Sequence, residues 1–320
     1  MNRRKFLTLA AAASAGAVLP LPGSAQNSAI PIIDTHIHLF DTARPHGVPW
    51  PTKKDSIIYR PALPERYRKI AVPLGVVGAI VVEASPLPED NQWVLDLASK
   101  NKIILGTVGN LEPGKANFSQ QLERLRRNPL FRGIRYGNLW GRDISRELLN
   151  PAFVSDLRAV AEAGLVLDTA NPNPALIAAV VRVTDLVPNL RVIVDHLPQI
   201  TPPEAPAARK DYEAALQKLG DRPQVYVKIS QVLRRIDGKI PQEPGFYRPR
   251  LDELFGIFGE DRLLYGSDWP NSDRMLPYDA GLSLVSEYFA TKGRSVAEKY
   301  FWKNSIAAYQ WVKRQPSQPG

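Results

Sequence analysis

Cysteine is absent from the chain, so neither a disulfide nor a thiolate metal ligand can hold any part of it together. An oxidising compartment is thereby permitted, not implied. No glycine-rich phosphate loop follows an early strand, which leaves a nucleotide-binding sheet without support. No Gly-x-Ser-x-Gly element occurs, so there is no serine-nucleophile elbow, and Gly266-Ser267 does not supply one. Internal repeats are missing too. Histidine is scarce, with four in 320 residues. The formal net charge is +9, but beyond Arg3-Arg4-Lys5 the bases are scattered; Arg124, Arg126 and Arg127 form a tight group, with Arg132 and Arg135 shortly after. Nucleic-acid binding would need a basic stripe or tail, and none is present.

The N-terminus speaks to location. Asn2-Arg3-Arg4-Lys5-Phe6-Leu7 leads into an alanine-rich, mildly apolar stretch and then Gly23-Ser24-Ala25. A charged head, a short apolar run and small residues are the order of a cleavable export signal. Paired arginines before Phe-Leu look like the twin-arginine type. The run is short for a bilayer span. The expectation is a signal peptide over residues 1–25, handled by the twin-arginine export machinery, with cleavage near Ala25 and a periplasmic or secreted product. Without Arg3, Arg4 and Lys5, and with no acid in residues 1–25, the net charge falls to +6. A modest positive field favours anionic small molecules.

Eight β-branched runs follow: Ile32–His38, Gly78–Ala84, Ile103–Gly109, Phe131–Tyr136, Leu165–Ala170, Leu190–Leu197, Val225–Ser230 and Leu263–Trp269. Several are apolar almost throughout, as parallel strands covered by helices are. Helical stretches separate them. Asn150-Pro151 and Asn173-Pro174 each set a capping side chain before a proline suited to the first helical position. Asp279 through Trp302 reads as the last long helical region, Ser305–Lys313 as a segment packed outside, and Pro316–Gly320 as a frayed tail. Eight alternations predict an α/β fold, a single-domain (β/α)8 TIM barrel over residues 30–312. An open doubly wound sheet is the competing pattern.

Such barrels keep their chemistry at the carboxyl ends of the strands. In Ile33-Asp34-Thr35-His36-Ile37-His38, strict alternation sends Asp34, His36 and His38 to one face and Ile33, Thr35 and Ile37 to the other. His196 ends the sixth run and Asp268 the eighth, which a closed barrel brings beside the first. These imidazoles and this carboxylate can converge on one metal ion, or on one water and substrate. Glu83, Arg135 and Lys228 are charged residues within apolar strands; each could face the same cavity or form a structural ion pair. Arg135, with its planar donor fork, suits a substrate carboxylate or carbonyl. Tyr136 and Trp269 could line a polar-aromatic pocket, and core packing would explain them equally well. His46 belongs to a loop.

Together these residues carry a resemblance. Asp34-Thr35-His36-Ile37-His38 looks like the first-strand signature of the amidohydrolase superfamily. Phe131-Arg132-Gly133-Ile134-Arg135, Val194-Asp195-His196-Leu197, Val227-Lys228-Ile229-Ser230 and Tyr265-Gly266-Ser267-Asp268-Trp269-Pro270 resemble its amidohydrolase-2 branch, over roughly residues 30–312. The resemblance implies a hydrolase, with lactonases as relatives. It makes His36, His38 and His196 site histidines, Asp268 the residue that handles water, and Arg135 a substrate contact, beside Lys228, Tyr136 and Trp269. Where many metal-bearing members carry histidine or lysine at the fifth strand end, this chain reads Leu165-Val166-Leu167-Asp168-Thr169-Ala170. That departure disfavours a binuclear centre. It leaves either one divalent ion, zinc or manganese, held by His36, His38, Asp268 and Glu83, or no metal. The expected activity is ring opening of a sugar or carboxylated lactone by activated water. Nonoxidative decarboxylation of a small carboxylic acid and non-catalytic binding of a small molecule are the alternatives. The partners implied are a polar or anionic small molecule and the export machinery; nucleic acid is not expected and no oligomeric state is assigned.

Overall fold

A computed structural model describes residues 29–320, so the export signal expected over residues 1–25 lies outside the described residues. Eight strands run β1 Ile32–Ile37, β2 Val76–Val82, β3 Ile104–Gly109, β4 Phe131–Arg135, β5 Val166–Asp168, β6 Arg191–Val194, β7 Val225–Ile229 and β8 Leu263–Tyr265. They pair in chain order and every pair is parallel. The first and last meet as well: Ile37 and Trp269 form a parallel bridge, His38 N donates to Trp269 O at 2.7 Å and Asp268 N to His36 O at 2.8 Å. The sheet is therefore a nearly closed barrel, which favours the predicted (β/α)8 architecture over an open sheet. Gly266 allows the close approach, since a Cβ there would lie 2.9 Å from the Cβ of His36.

The helices are α1 Pro64–Ala71, α2 Glu89–Lys100, α3 Phe118–Leu125, α4 Ile144–Glu147, α5 Pro151–Glu162, α6 Pro174–Leu186, α7 Pro206–Gly220, α8 Pro244–Phe258, α9 Tyr278–Ala290, α10 Arg294–Glu298 and α11 Asn304–Tyr309. The caps form where the dipeptides predict them. Asn150 Oδ1 accepts from Ala152 N at 3.0 Å and Asn173 Oδ1 from Leu176 N at 2.8 Å, each worth about 1 kcal/mol. The last helical region is broken rather than continuous, because Gly293 turns left-handed (φ 92°) between α9 and α10. Among the described residues no helix is long and apolar enough to cross a membrane.

Two expectations are corrected by tertiary packing. The β1 alternation does not persist: its pairing with β2 slips between Asp34 and Ile37, and a slip of one residue exchanges faces. Ile33 packs inside with Ile80, Leu105, Val166, Ile193 and Leu264, drawn from six strands. Asp34 instead faces the helix layer, accepting from Tyr67 of α1 and Tyr278 of α9, both at 2.9 Å. Only after the slip do His36 and His38 turn inward. The C-terminal segment is the second case. Ala308, Tyr309 and Trp311 join the interior cluster, and Gln318 is buried, donating to Val77 O at 3.0 Å and Lys102 O at 2.8 Å. The residues read as a frayed tail are pinned to the barrel through Gln318, whose amide finds carbonyl partners beside the starts of β2 and β3.

Candidate active site

The site gathers where strands end and the backbone is forced out of its extended path. His196 follows β6 with φ 53°, Gln231 follows β7 with φ 49° and Asp268 follows β8 with φ 61°. Left-handed conformations of non-glycine residues cost on the order of 1–3 kcal/mol each and persist where the surroundings over-determine them. Asp34 is one such constraint. Its Oδ1 accepts from Ser267 N at 2.8 Å and His36 N at 3.2 Å, tying the β8 end to β1 just before Asp268.

Asp268 is the meeting point. Its Oδ1 lies 3.1 Å from His38 Nε2, 3.4 Å from His36 Nε2 and 3.6 Å from His196 Nε2. Its Oδ2 accepts from Asn271 Nδ2 at 2.7 Å and from Gln231 Nε2. The carboxylate is thus divided: one oxygen is held by two amides and the other is presented to three imidazoles. Burial alone would raise its pKa; the neighbouring His196 and His38 reverse this and hold it below the ordinary range. Burial lowers His196 to about 4 against the pull of Asp268. His36 is driven well below its usual value by burial and by the Lys228 charge. At neutral pH the site therefore holds a carboxylate beside neutral His36 and His196.

These donors fit a divalent cation. His38 Nδ1 is 3.0 Å from Val82 O, a carbonyl that can only accept, so Nδ1 is the donor there and Nε2 is the ring nitrogen that could serve as a metal ligand beside Asp268. His36 Nε2, His38 Nε2 and Asp268 Oδ1 are mutually 3.1–3.4 Å apart, and ligands about 2.0–2.1 Å from a tetrahedral zinc stand roughly 3.3–3.4 Å from one another. A second group, His36, Asp195 and His196, also offers ligand atoms within 4.8 Å of each other. The two clusters are consistent with one bound divalent ion such as zinc or manganese.

Other expected site residues take different places. Glu83 belongs to neither cluster: its Oε1 pairs with Arg142 Nη1 at 3.3 Å, and burial pushes its pKa up to about 7. Its proposed part as a ligand is corrected by that pairing with a loop arginine. Arg135 commits Nε to Asp195 Oδ2 at 3.1 Å and Thr169 O at 3.0 Å. Lys228 is fully buried and bridges Asp168 Oδ2 at 2.6 Å and Asp195 Oδ1 at 2.9 Å, so it braces the barrel and does not face substrate. Trp269 is fully buried too, packed on Tyr67 with the Arg66 guanidinium over its ring, which removes it from the pocket lining. Tyr136 packs edge-on against Phe153 under Arg142. His46 is exposed.

A cavity of about 610 Å³ opens on Asp268 from above β7 and β8. Gln231, Asn271, Arg234, Arg235 and Arg274 are among its walls. Arg234 and Arg235 donate to the backbone carbonyls of Gln199 and Gly238, whereas Arg274 also pairs with Asp55 at 2.5 Å. Sequence reasoning passed over Gln231, Asn271 and Asp195. The Gln231 and Asn271 amides lie in loops without periodicity, and only the signal Asp195-His196 could have pointed to the third.

A buried cluster of histidines and aspartate at the carboxyl mouth of a parallel barrel defines a class of enzyme. Residues 33–311 match the amidohydrolase family, and the chain belongs to it, in the amidohydrolase-2 branch. Among similar proteins is an L-fucono-1,5-lactonase of Burkholderia ambifaria, 31% identical over 245 residues, spanning 75% of this chain and 80% of that one. Among solved structures, an amidohydrolase from Burkholderia multivorans with bound zinc superposes with a TM-score of 0.78 at 20% identity, over 88% of this chain and 100% of that one. A 5-carboxyvanillate decarboxylase from Novosphingobium aromaticivorans, complexed with manganese and 4-hydroxy-3-methoxy-5-nitrobenzoic acid, superposes with 0.61 at 16% identity, over 88% and 96%. The last two establish a shared fold.

Proposed function

We propose that the protein hydrolyses a small polar lactone, opening its ring by attack of water on the carbonyl. The observation that carries this is the divided carboxylate of Asp268, a residue of the cavity lining, with Oδ1 among three imidazole nitrogens and Oδ2 held by two amides. The resemblance to the fuconolactonase supports lactone as the substrate class, and the cavity arginines support a polar or anionic one.

Oδ1 accepts a proton as water adds to the carbonyl carbon; Oδ2 stays with Gln231 and Asn271, which keeps the free oxygen aimed. With Ser230 Oγ donating to His196 Nδ1, a contact of 2.7 Å, His196 retains its proton on Nε2 and hydrogen-bonds the carbonyl oxygen as negative charge grows. Protonated Asp268 then donates to the ring oxygen as the acyl bond breaks, yielding a hydroxy acid. A divalent ion held by His36, His38 and Asp268 would add carbonyl polarisation when bound; the similar Burkholderia multivorans amidohydrolase has zinc bound, which supports a divalent ion in general.

Nonoxidative decarboxylation is the second reading, favoured by guanidiniums that could seat a substrate carboxylate beside Asp268 and by the fold shared with a decarboxylase. There Asp268, having first taken a proton from water, would deliver it to carbon as carbon dioxide leaves. A panel of sugar lactones, carboxylated lactones and aromatic acids, assayed with and without chelator, separates the readings. Ring opening with the mass of one added water supports hydrolysis. Carbon dioxide release replaces it with decarboxylation. Saturable binding without turnover, metal-loaded or not, would make the protein a small-molecule binding protein. We also propose export through the twin-arginine pathway; Arg3→Lys with Arg4→Lys should abolish it, and unchanged maturation rejects the idea.

A further inference from the structure

His36 belongs to two candidate cation positions. His38 and Asp268 stand on its Nε2 side; Asp195 and His196 complete the other group. Donor chemistry alone would let each group hold a metal ion. The inner group, however, already contains a positive charge. Lys228 reaches in from β7 and sets Nζ 2.9 Å from Asp195 Oδ1, 2.6 Å from Asp168 Oδ2 and 3.2 Å from His36 Nδ1. All four side chains are fully buried.

We propose that the Lys228 ammonium is a tethered cation occupying the inner position, so that the chain takes a divalent metal only at the outer one. Three observations carry this. Asp168 and Asp195 are balanced in charge by Lys228 and Arg135, and a divalent ion added among them would be uncompensated in a dry core. The Asp268 group, by contrast, holds one carboxylate and borders the cavity. An ion about 2.0–2.2 Å from both Asp195 and His36 Nδ1 would also collide with the ammonium nitrogen already seated against those atoms. Finally, the buried Oδ1 atoms of Asp168 and Asp195 have no hydrogen-bond partner; Lys228 compensates these carboxylates ionically, and without it they and His36 Nδ1 would present an unfilled, net negative ligand set.

Counting ions tests this without any substrate, so its failure is distinct from failure of the lactone reading. Wild-type protein, Lys228→Ala and Lys228→Ala/Asp195→Asn are equilibrated with zinc, dialysed and assayed for bound metal, with folding checked by circular dichroism. The expected result is one additional equivalent in Lys228→Ala relative to wild type, lost again in the double variant. Equal counts in wild type and a folded Lys228→Ala overturn the proposal, as does a second wild-type equivalent abolished by Asp195→Asn. Should the alanine variant not fold, Lys228→Gln, which keeps an amide donor for Asp168, is counted against the same outcomes.

Discussion

Two groups of the same residue types meet at His36 and differ in how their charge is balanced. On the outer side, Asp268 faces imidazoles and borders a cavity of about 610 Å³. On the inner side, Asp168, Lys228, Asp195 and Arg135 neutralise one another in a closed core, with Tyr309 OH donating to Asp168 at 2.8 Å from the C-terminal segment. Burial pushes Asp168 up to about 6, with Lys228 opposing, while Lys228 and His36 overcome burial to hold Asp195 well below its usual range. The contrast separates roles that residue identity cannot. Charge that is under-compensated and accessible can bind and move protons, whereas charge that is compensated and sealed maintains geometry.

The sharpest way to break the comparison is to change one carboxylate from each group. Asp268→Asn keeps the shape and loses the proton acceptor, so kcat/KM should fall by roughly 10²–10⁴-fold while circular dichroism still reports the folded barrel. Near-normal turnover would remove Asp268 from the chemistry. Asp168→Ala should do the reverse in kind: it leaves Lys228 under-compensated and should cost about 3–5 kcal/mol of unfolding free energy, read from urea denaturation. A loss within 1 kcal/mol would show that the inner network is not a structural brace.

Glu83 gives a smaller, pH-dependent test, since it is a third buried carboxylate, paired with Arg142. Its folded pKa of about 7 lies above the ordinary 4.5, so the folded state binds more protons than the unfolded one between these values. Its contribution is present below pH 4.5 and lost as pH rises through about 7, a change of roughly 3 kcal/mol. Unfolding free energies of wild type and Glu83→Gln at pH 4.5, 6 and 8 should diverge in slope, the variant being flatter. Parallel profiles would return Glu83 to an unperturbed carboxylate. Chelation offers the mildest perturbation: it should lower the melting temperature if an ion is held at the outer position, and a melt indifferent to chelator and added zinc would argue against one.

Much of this was legible beforehand because its signals are local. β-branched runs mark all eight strands, Asn-Pro pairs mark two helix starts, and polar residues breaking apolar runs mark His36, His38, His196 and Asp268. What escaped notice depends on contacts far apart in the chain. Trp269 looked like a pocket aromatic until Tyr67 and Arg66 closed over it. Lys228 looked like a substrate contact until Asp168 and Asp195 met it. Asp34 seemed to share a face with the histidines, and a slip in pairing with β2 sent it to the helices.

By itself the sequence determined the succession of strands and helices and the chemical inventory at the strand ends, because hydrophobic periodicity and capping act over a few residues. Only the tertiary structure decided which carboxylates are neutralised and which remain available. That distinction depends on burial and on partners brought together by barrel closure: His36 reaches Lys228 across 192 residues of chain and His38 reaches Asp268 across 230.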